Sequence, residues 1–299
     1  MIRRLALTLA LFLPLAATPL DAQQGRKGGS LPAPDVAEAK YGPHERNVLS
    51  VWQAKSDAPT PLVVFIHGGG FRAGSKEQLA PTLLSALLEA GISVASINYR
   101  LSQHAPFPAP MHDGGRAVQF LRAHAQEWNL DPARFGATGG SAGAGISLWL
   151  AFHEDRADPK SDDPVAREST RLTCAVGTAA QTSYDPRWIQ EHIGGRAHEH
   201  PALQPFYGLT AADLATEKAF ALFAEASPLT HYTKDDPPVL LLYGGDDPPG
   251  DKPGAGIHSE KFGFALREAA AKLELSCEVR VGREAGPKQA VEFFQRHLQ

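Results

Sequence analysis

The sequence predicts an α/β fold, a mostly parallel central sheet flanked by helices, and three observations predict it. Short apolar runs of strand length alternate with stretches of helical spacing from residue 62 to the end of the chain, the pattern of βαβ crossovers. Runs such as Leu62–Ile66 are continuously apolar, as buried strands are. The length of 299 residues, 43% of them hydrophobic and 21% charged, gives ample chain for a large core and argues against disorder.

In order, Leu62–Ile66 reads as a strand and Leu79–Glu89 as a helix. Ile92–Ile97 is the next strand, followed by a helix over His112–Trp128 with Val118, Leu121 and Ala125 on one face. Phe135–Thr138 is a short strand leading into a helix over Ala142–Phe152. Cys174–Ala179, Val239–Tyr243 and Cys277–Val281 complete the strands, and Ala290–Leu298 is a closing helix. Between about residues 184 and 226 the periodicity degrades. Trp188, Phe206, Tyr207, Phe220 and Phe223 sit there among Gly, His and Pro, and a small cap-like insertion over the strand ends is expected. Its aromatic side chains either line a pocket or pack the insertion onto the body.

The N-terminus reads as a signal peptide over residues 1–22. Arg3 and Arg4 precede the apolar stretch Leu5–Ala17, and Leu20-Asp21-Ala22 suits cleavage. Pro14 interrupts that stretch, which is shorter than the roughly 20 residues a spanning helix needs, so export is expected, with no stable membrane span in the mature chain. Residues 23–34 read as a polar linker, and residues 35–299 as one domain. A net charge of -4 gives no basic footprint for nucleic acid. Cys174 and Cys277 fall on strands expected to flank a third. Two strand spacings of roughly 9.5 Å exceed a disulfide's reach, so both are expected to be buried thiols.

Two motifs carry chemistry. Gly139-Gly140-Ser141-Ala142-Gly143 fits G-x-S-x-G, a sharp strand-to-helix turn that strains the serine backbone and exposes its hydroxyl. Random placement supplies such a match roughly 0.14 times per chain of this composition, so context must decide. The context is a strand before it, a helix after it, and His67-Gly68-Gly69-Gly70-Phe71 directly after the strand Leu62–Ile66. The His-Gly-Gly-Gly run occurs by chance only about 0.01 times. Its glycines let bare backbone N–H groups point at a developing oxyanion, where each contributes on the order of 3 kcal/mol.

With these motifs the chain resembles the α/β-hydrolase superfamily, specifically the HGGG-bearing esterase/lipase branch of bacterial carboxylesterases and hormone-sensitive-lipase-like enzymes. Asn98-Tyr99-Arg100-Leu101, Phe107-Pro108-Ala109 with Asp113, and Asp131-Pro132-Ala133-Arg134 extend the resemblance, which covers about Tyr41 to Leu298. It implies that Ser141 is the nucleophile and that the N–H groups of Gly69, Gly70 and Ala142 form the oxyanion hole, with His67 bracing the loop. It also implies the acid, in Gly244-Gly245-Asp246-Asp247-Pro248 after a strand: Asp247, with Asp246 as second choice.

The family's histidine follows the last strand, and here Gly282–Lys288 contains none. His297, near the end of the closing helix, reads as a helix-end residue. His258 is the leading substitute, 11 residues after Asp247, against the alternative of a histidine near a helix N-terminus without chemistry; His104 ranks below it. His192, His198 and His200 lack the spacing of a helical metal site and read as a solvated loop. No cofactor motif is present. The expected activity is ester hydrolysis by acyl transfer on a small-molecule or carbohydrate ester, rising with pH through roughly 6.5 if a histidine is the base. The competing expectation, motivated by the absent histidine, is a non-catalytic hydrolase-fold binding protein.

Overall fold

The computed structural model describes residues 30–299; the expected signal peptide at 1–22 and most of the expected linker at 23–34 lie outside the described residues. Eight strands form one sheet: β1 (Val36–Lys40), β2 (Val48–Trp52), β3 (Thr60–Ile66), β4 (Ser93–Ile97), β5 (Leu130–Gly140), β6 (Cys174–Thr178), β7 (Val239–Tyr243) and β8 (Cys277–Val281). Their spatial order is β1-β2-β4-β3-β5-β6-β7-β8. Pairing is antiparallel from β1 to β2 and from β2 to β4, and parallel everywhere else.

The helices are α1 (Pro81–Glu89), α2 (Ala109–Ala123), α3 (Ala142–Phe152), α4 (Pro186–His192), α5 (Leu203–Tyr207), α6 (Glu217–Ala226), α7 (Pro228–His231), α8 (Lys261–Leu273) and α9 (Pro287–Leu298). The period-2 geometry of a strand explains how they divide between the two faces of the sheet. On β3, Leu62, Val64 and Ile66 join a core with α2, α3 and α8, while Val63 points into a second core with Leu84 and Leu87 of α1 and Phe293 and Phe294 of α9.

Several elements differ from the sequence expectation. The antiparallel pair β1–β2 precedes the first expected strand; β1 is a largely exposed edge without an apolar run, which left no periodic signal. The strand expected at Phe135–Thr138 runs from Leu130 to Gly140, because Leu130 already pairs with Thr60 of β3 and the register is irregular between that pair and Leu62–Phe135. The helix expected through Trp128 stops at Ala123, where the chain turns through Asn129 (φ 50°) into β5. Helix α8, unassigned from sequence beyond its start, packs Phe262 and Leu266 into the core. The segment 184–226 folds as short helices, with α4, α5 and α6 held over the C-terminal strand ends. Cys174 and Cys277 are free with β7 between their strands, but Cys277 is only half-buried, because β8 is the sheet edge.

Candidate active site

The site is built at the C-terminal ends of β3, β5 and β7. Between β5 and α3 the chain reverses at Ser141, whose φ of 51° and ψ of -118° lie in a region that L-residues with side chains rarely adopt. Strain of this kind costs of order 1–3 kcal/mol and persists only where the surroundings impose it. Here they do. A Cβ on Gly139 or Gly143 would collide with the Ile66 carbonyl at the end of β3, so the two motif glycines allow the elbow to nest against that strand.

The Ser141 hydroxyl lies 2.9 Å from Nε2 of His258. On the other side of the ring, Nδ1 is 3.5 Å from Oδ2 of Asp247, an electrostatic contact longer than an ordinary hydrogen bond. The Asp247 carboxylate also accepts the backbone N–H of Gly256 at 2.9 Å and that of His258 itself at 2.8 Å. It therefore ties the loop after β7 into a closed turn and presents His258 to the serine. Gln181, three residues past β6, fastens the same loop by donating to the Ile257 carbonyl at 2.8 Å. With carboxylate facing Nδ1, the proton sits there and Nε2 is left as the acceptor. Burial lowers the pKa of His258, Asp247 and Asp246 oppose that by raising it, and the net direction is down. Asp246 is exposed, whereas Asp247 turns inward.

The loop His67–Phe71 runs beside the elbow: a Cβ on Gly68 would come within 3.8 Å of the Ser141 Cβ and 2.7 Å of the Gly140 carbonyl oxygen. Gly69 (φ 112°) and Gly70 (φ 58°) take left-handed backbone that glycine adopts freely. Among the described residues, neither N–H donates to a protein acceptor, and the N–H of Ala142, first in α3, has none within its helix. All three residues line the cavity that Ser141 faces. His67 points away from it. Its ring stacks on Tyr99 at 4.3 Å, its Nε2 meets Arg46 at 3.2 Å, and Tyr99 donates to its carbonyl at 3.0 Å. Burial brings its pKa down to about 4, so it stays a neutral brace. The frame extends to Asp113, buried and bonded to the Arg100 guanidinium and backbone N–H.

Other histidines fall elsewhere. Nδ1 of His104 accepts the Leu101 N–H at 3.2 Å within its own turn, and His297 packs on Phe293 at the end of α9. His200, expected in a solvated loop, instead lines the cavity with Ser141 and His258. The reason is tertiary: Arg196 donates its backbone N–H to the Gly250 carbonyl and accepts that of Gly254, both in the loop after β7, and this draws residues 196–202 over the site. Nδ1 of His200 accepts the Ala202 N–H at 3.3 Å, which places the ring proton on Nε2. Of the cap aromatics, Phe206 lines the pocket, stacked on Phe71 at 4.1 Å, whereas Trp188, Tyr207, Phe220 and Phe223 pack the cap onto the body.

Ser141 stands where two compartments meet. Inward lies a narrow apolar pocket walled by Phe71, Tyr184, Leu203, Phe206 and Ile257, with a cavity volume of about 20 Å³. Outward lies a broad groove of about 1070 Å³ bordered by Gly69, Arg72, Ser102, Gln103 and Gly208. Gly70, His200, Ala202 and His258 border both.

Known proteins share this frame. Esterase structures resemble it at the level of the fold. An acetyl ester-xyloside bifunctional hydrolase from Caldicellulosiruptor lactoaceticus aligns with a TM-score of 0.65 at 23% identity, over 83% of this chain and 87% of that one. The butyrate-bound esterase Est2 from Thermogutta terrifontis aligns with a TM-score of 0.65 at 19% identity, over 88% and 94%. Two proteins of Mycobacterium tuberculosis (strain ATCC 25618 / H37Rv) are similar in sequence. The probable carboxylic ester hydrolase LipM is 29% identical over 71% of this chain and 47% of its own length. Esterase LipQ is 28% identical over 80% and 54%. The chain thus spans about half the length of these curated relatives. The BD-FAE family model matches residues 51–249, the stretch holding the glycine loop, the elbow and Asp247. With that match and this fold, the chain belongs to the BD-FAE family, in the esterase/lipase branch of the α/β-hydrolase superfamily.

Proposed function

We propose that the protein is a serine ester hydrolase in which Ser141, His258 and Asp247 act together and the N–H groups of Gly69, Gly70 and Ala142 hold the oxyanion. The observation that carries this reading is the 2.9 Å contact between the Ser141 hydroxyl, on its strained elbow, and the acceptor nitrogen of His258. Nε2 takes the hydroxyl proton as Oγ attacks the ester carbonyl, and the three N–H groups receive the negative oxygen. Collapse of the tetrahedral species breaks the ester C–O bond. The imidazolium, stabilised by Asp247, returns the proton to the departing alcohol. Water then adds to the Ser141 ester with His258 again as base, releasing the acid.

The two compartments point to a short acyl group and a large polar alcohol. A volume of about 20 Å³ is little more than one water-sized centre needs, so an acetyl methyl fits the inner pocket and longer chains require side chains to move. The outer groove suits a sugar, and His200, which borders it with Nδ1 already accepting a backbone N–H, has Nε2–H as a neutral donor for the alcohol part. Burial lowers the pKa of His200, and the neighbouring His258 lowers it further. Acetylated carbohydrate is thus the favoured substrate class. The leader-like residues 1–22 suggest that this chemistry takes place after export, which sequencing the N-terminus of the secreted protein checks. The direct test of the activity is labelling by a fluorophosphonate together with hydrolysis of a chromogenic acetate ester. Both are expected for the parent and lost in Ser141→Ala, and an unlabelled, inactive parent refutes the reading.

A further inference from the structure

At the end of α3 remote from Ser141, three side chains from three elements converge. His153 follows the last residue of α3, Glu225 lies on α6 and His231 ends α7. One ligand-type atom from each lies within 4.8 Å of the other two. Oε1 of Glu225 is 3.1 Å from Nε2 of His153, and Oε2 is 3.9 Å from Nε2 of His231. Tetrahedral zinc with bonds near 2.0–2.1 Å separates its ligands by about 3.4 Å, so the widest separation here must close by up to about 1.4 Å, shared between two side chains, for an ion to sit between these atoms.

From this geometry we propose a divalent metal site, for Zn²⁺ or a similar imidazole-seeking ion, formed by His153, Glu225 and His231 with an open position for water. Two imidazoles and one carboxylate suit zinc, cobalt, nickel or copper rather than calcium or magnesium, which take oxygen ligands. The surroundings meet the further demands of such a site. Nδ1 of His153 lies 3.2 Å from the Glu154 carbonyl, and a proton held there leaves the Nε2 lone pair for the metal. The ring stacks on Trp149 at 4.0 Å, and Trp149 is itself fixed by donating to the Glu225 carbonyl at 2.9 Å. An ion enters through a surface cleft that also carries the carboxylates of Glu154, Asp155 and Asp235. The cleft's guanidinium, Arg171, is engaged by the His153 and Asp235 carbonyls.

Binding changes the hydrogen bonds in a defined way. Nε2 of His231 donates to the Glu225 carbonyl at 2.8 Å, so coordination through Nε2 moves that proton to Nδ1 and gives up the bond. Any proton bridging His153 and Glu225 is released to solvent. The ion would tie the C-terminal end of α3 to α6 and α7, adding stability without entering the hydrolytic site.

The test is a titration of the metal-free full-length protein with Zn²⁺ by calorimetry and with Co²⁺ by visible absorption. Tryptophan emission under Cu²⁺ adds a local probe, because Trp149 touches a ligand. One ion per chain is expected, with a thermal midpoint that rises with Zn²⁺ concentration. His153→Ala and His231→Ala should each weaken binding by about ten-fold or more, with ester hydrolysis and the circular dichroism spectrum unchanged. His192→Ala/His198→Ala should bind as the parent does. Absence of saturable binding by the parent below about 1 mM overturns the proposal without reference to any variant. Undiminished binding by His153→Ala/His231→Ala, or binding lost in His192→Ala/His198→Ala, overturns it as well.

Discussion

Replacing His258 with alanine tests the proposed chemistry most directly. The substitution removes the proposed base, which lies 2.9 Å from the Ser141 hydroxyl, but keeps the two backbone N–H groups, of Gly256 and residue 258, that hold Asp247. The loop should therefore survive, helped by a side chain that is 39% exposed and leaves no sealed cavity. Positioned general bases contribute about 10²–10⁴-fold, and in a serine–histidine–aspartate unit the loss of one member forfeits nearly the whole advantage. A fall in kcat of about 10⁴-fold is expected, roughly 5.5 kcal/mol at 1.36 kcal/mol per decade. His200 cannot take over, because its Nδ1 already accepts the Ala202 N–H and its Nε2 carries the proton. The assay is hydrolysis of a chromogenic acetate ester by the parent, Ser141→Ala, His258→Ala and the double variant. Residues acting as a unit are not additive, so the double variant should be no slower than either single one. Activity of His258→Ala within ten-fold of the parent, with Ser141→Ala inactive, would refute the assignment of the base.

Other outcomes follow from the same geometry. With the neutral form of His258 as the proposed base, its burial-lowered pKa predicts that kcat/KM is full at neutral pH and falls through a midpoint below 6.5; a midpoint at or above the ordinary histidine value contradicts this. Phe206→Ala widens the narrow pocket and should raise kcat/KM for butyrate or hexanoate esters relative to acetate, read from a chain-length series. His200→Ala should raise KM for an acetylated sugar by about ten-fold, the scale of one hydrogen bond, while changing hydrolysis of an aryl acetate little; equal effects on both would remove its role toward the alcohol. Gly143→Ala drives a methyl group into the Ile66 carbonyl and should cost about 3 kcal/mol or more, seen as a lowered urea midpoint or loss of soluble protein.

Much of this site can be read along the chain because its demands are local. A sharp reversal after a strand needs glycines two residues either side of Ser141, and bare amides need glycines after His67. Both demands leave a pattern within five residues. The parallel strands are legible for a similar reason, since burial on both faces makes them apolar throughout. The edge strand β1, largely exposed, left no such pattern, and the start of β5 was set by the pairing of Leu130 with Thr60 of β3 rather than by propensity.

Tertiary structure decided what depends on the path of the chain through space. The sequence offered His258 as the leading imidazole and His104 below it, without a distance from either to Ser141. Only the closure of the loop after β7, through a carboxylate that bonds the amides of residues 256 and 258, sets one of them against Ser141. The recruitment of His200 and the meeting of His153, Glu225 and His231 arise in the same way. In each case the residues are brought together by packing among elements far apart in the chain, and a linear spacing encodes a turn but not which distant loop will lie across it.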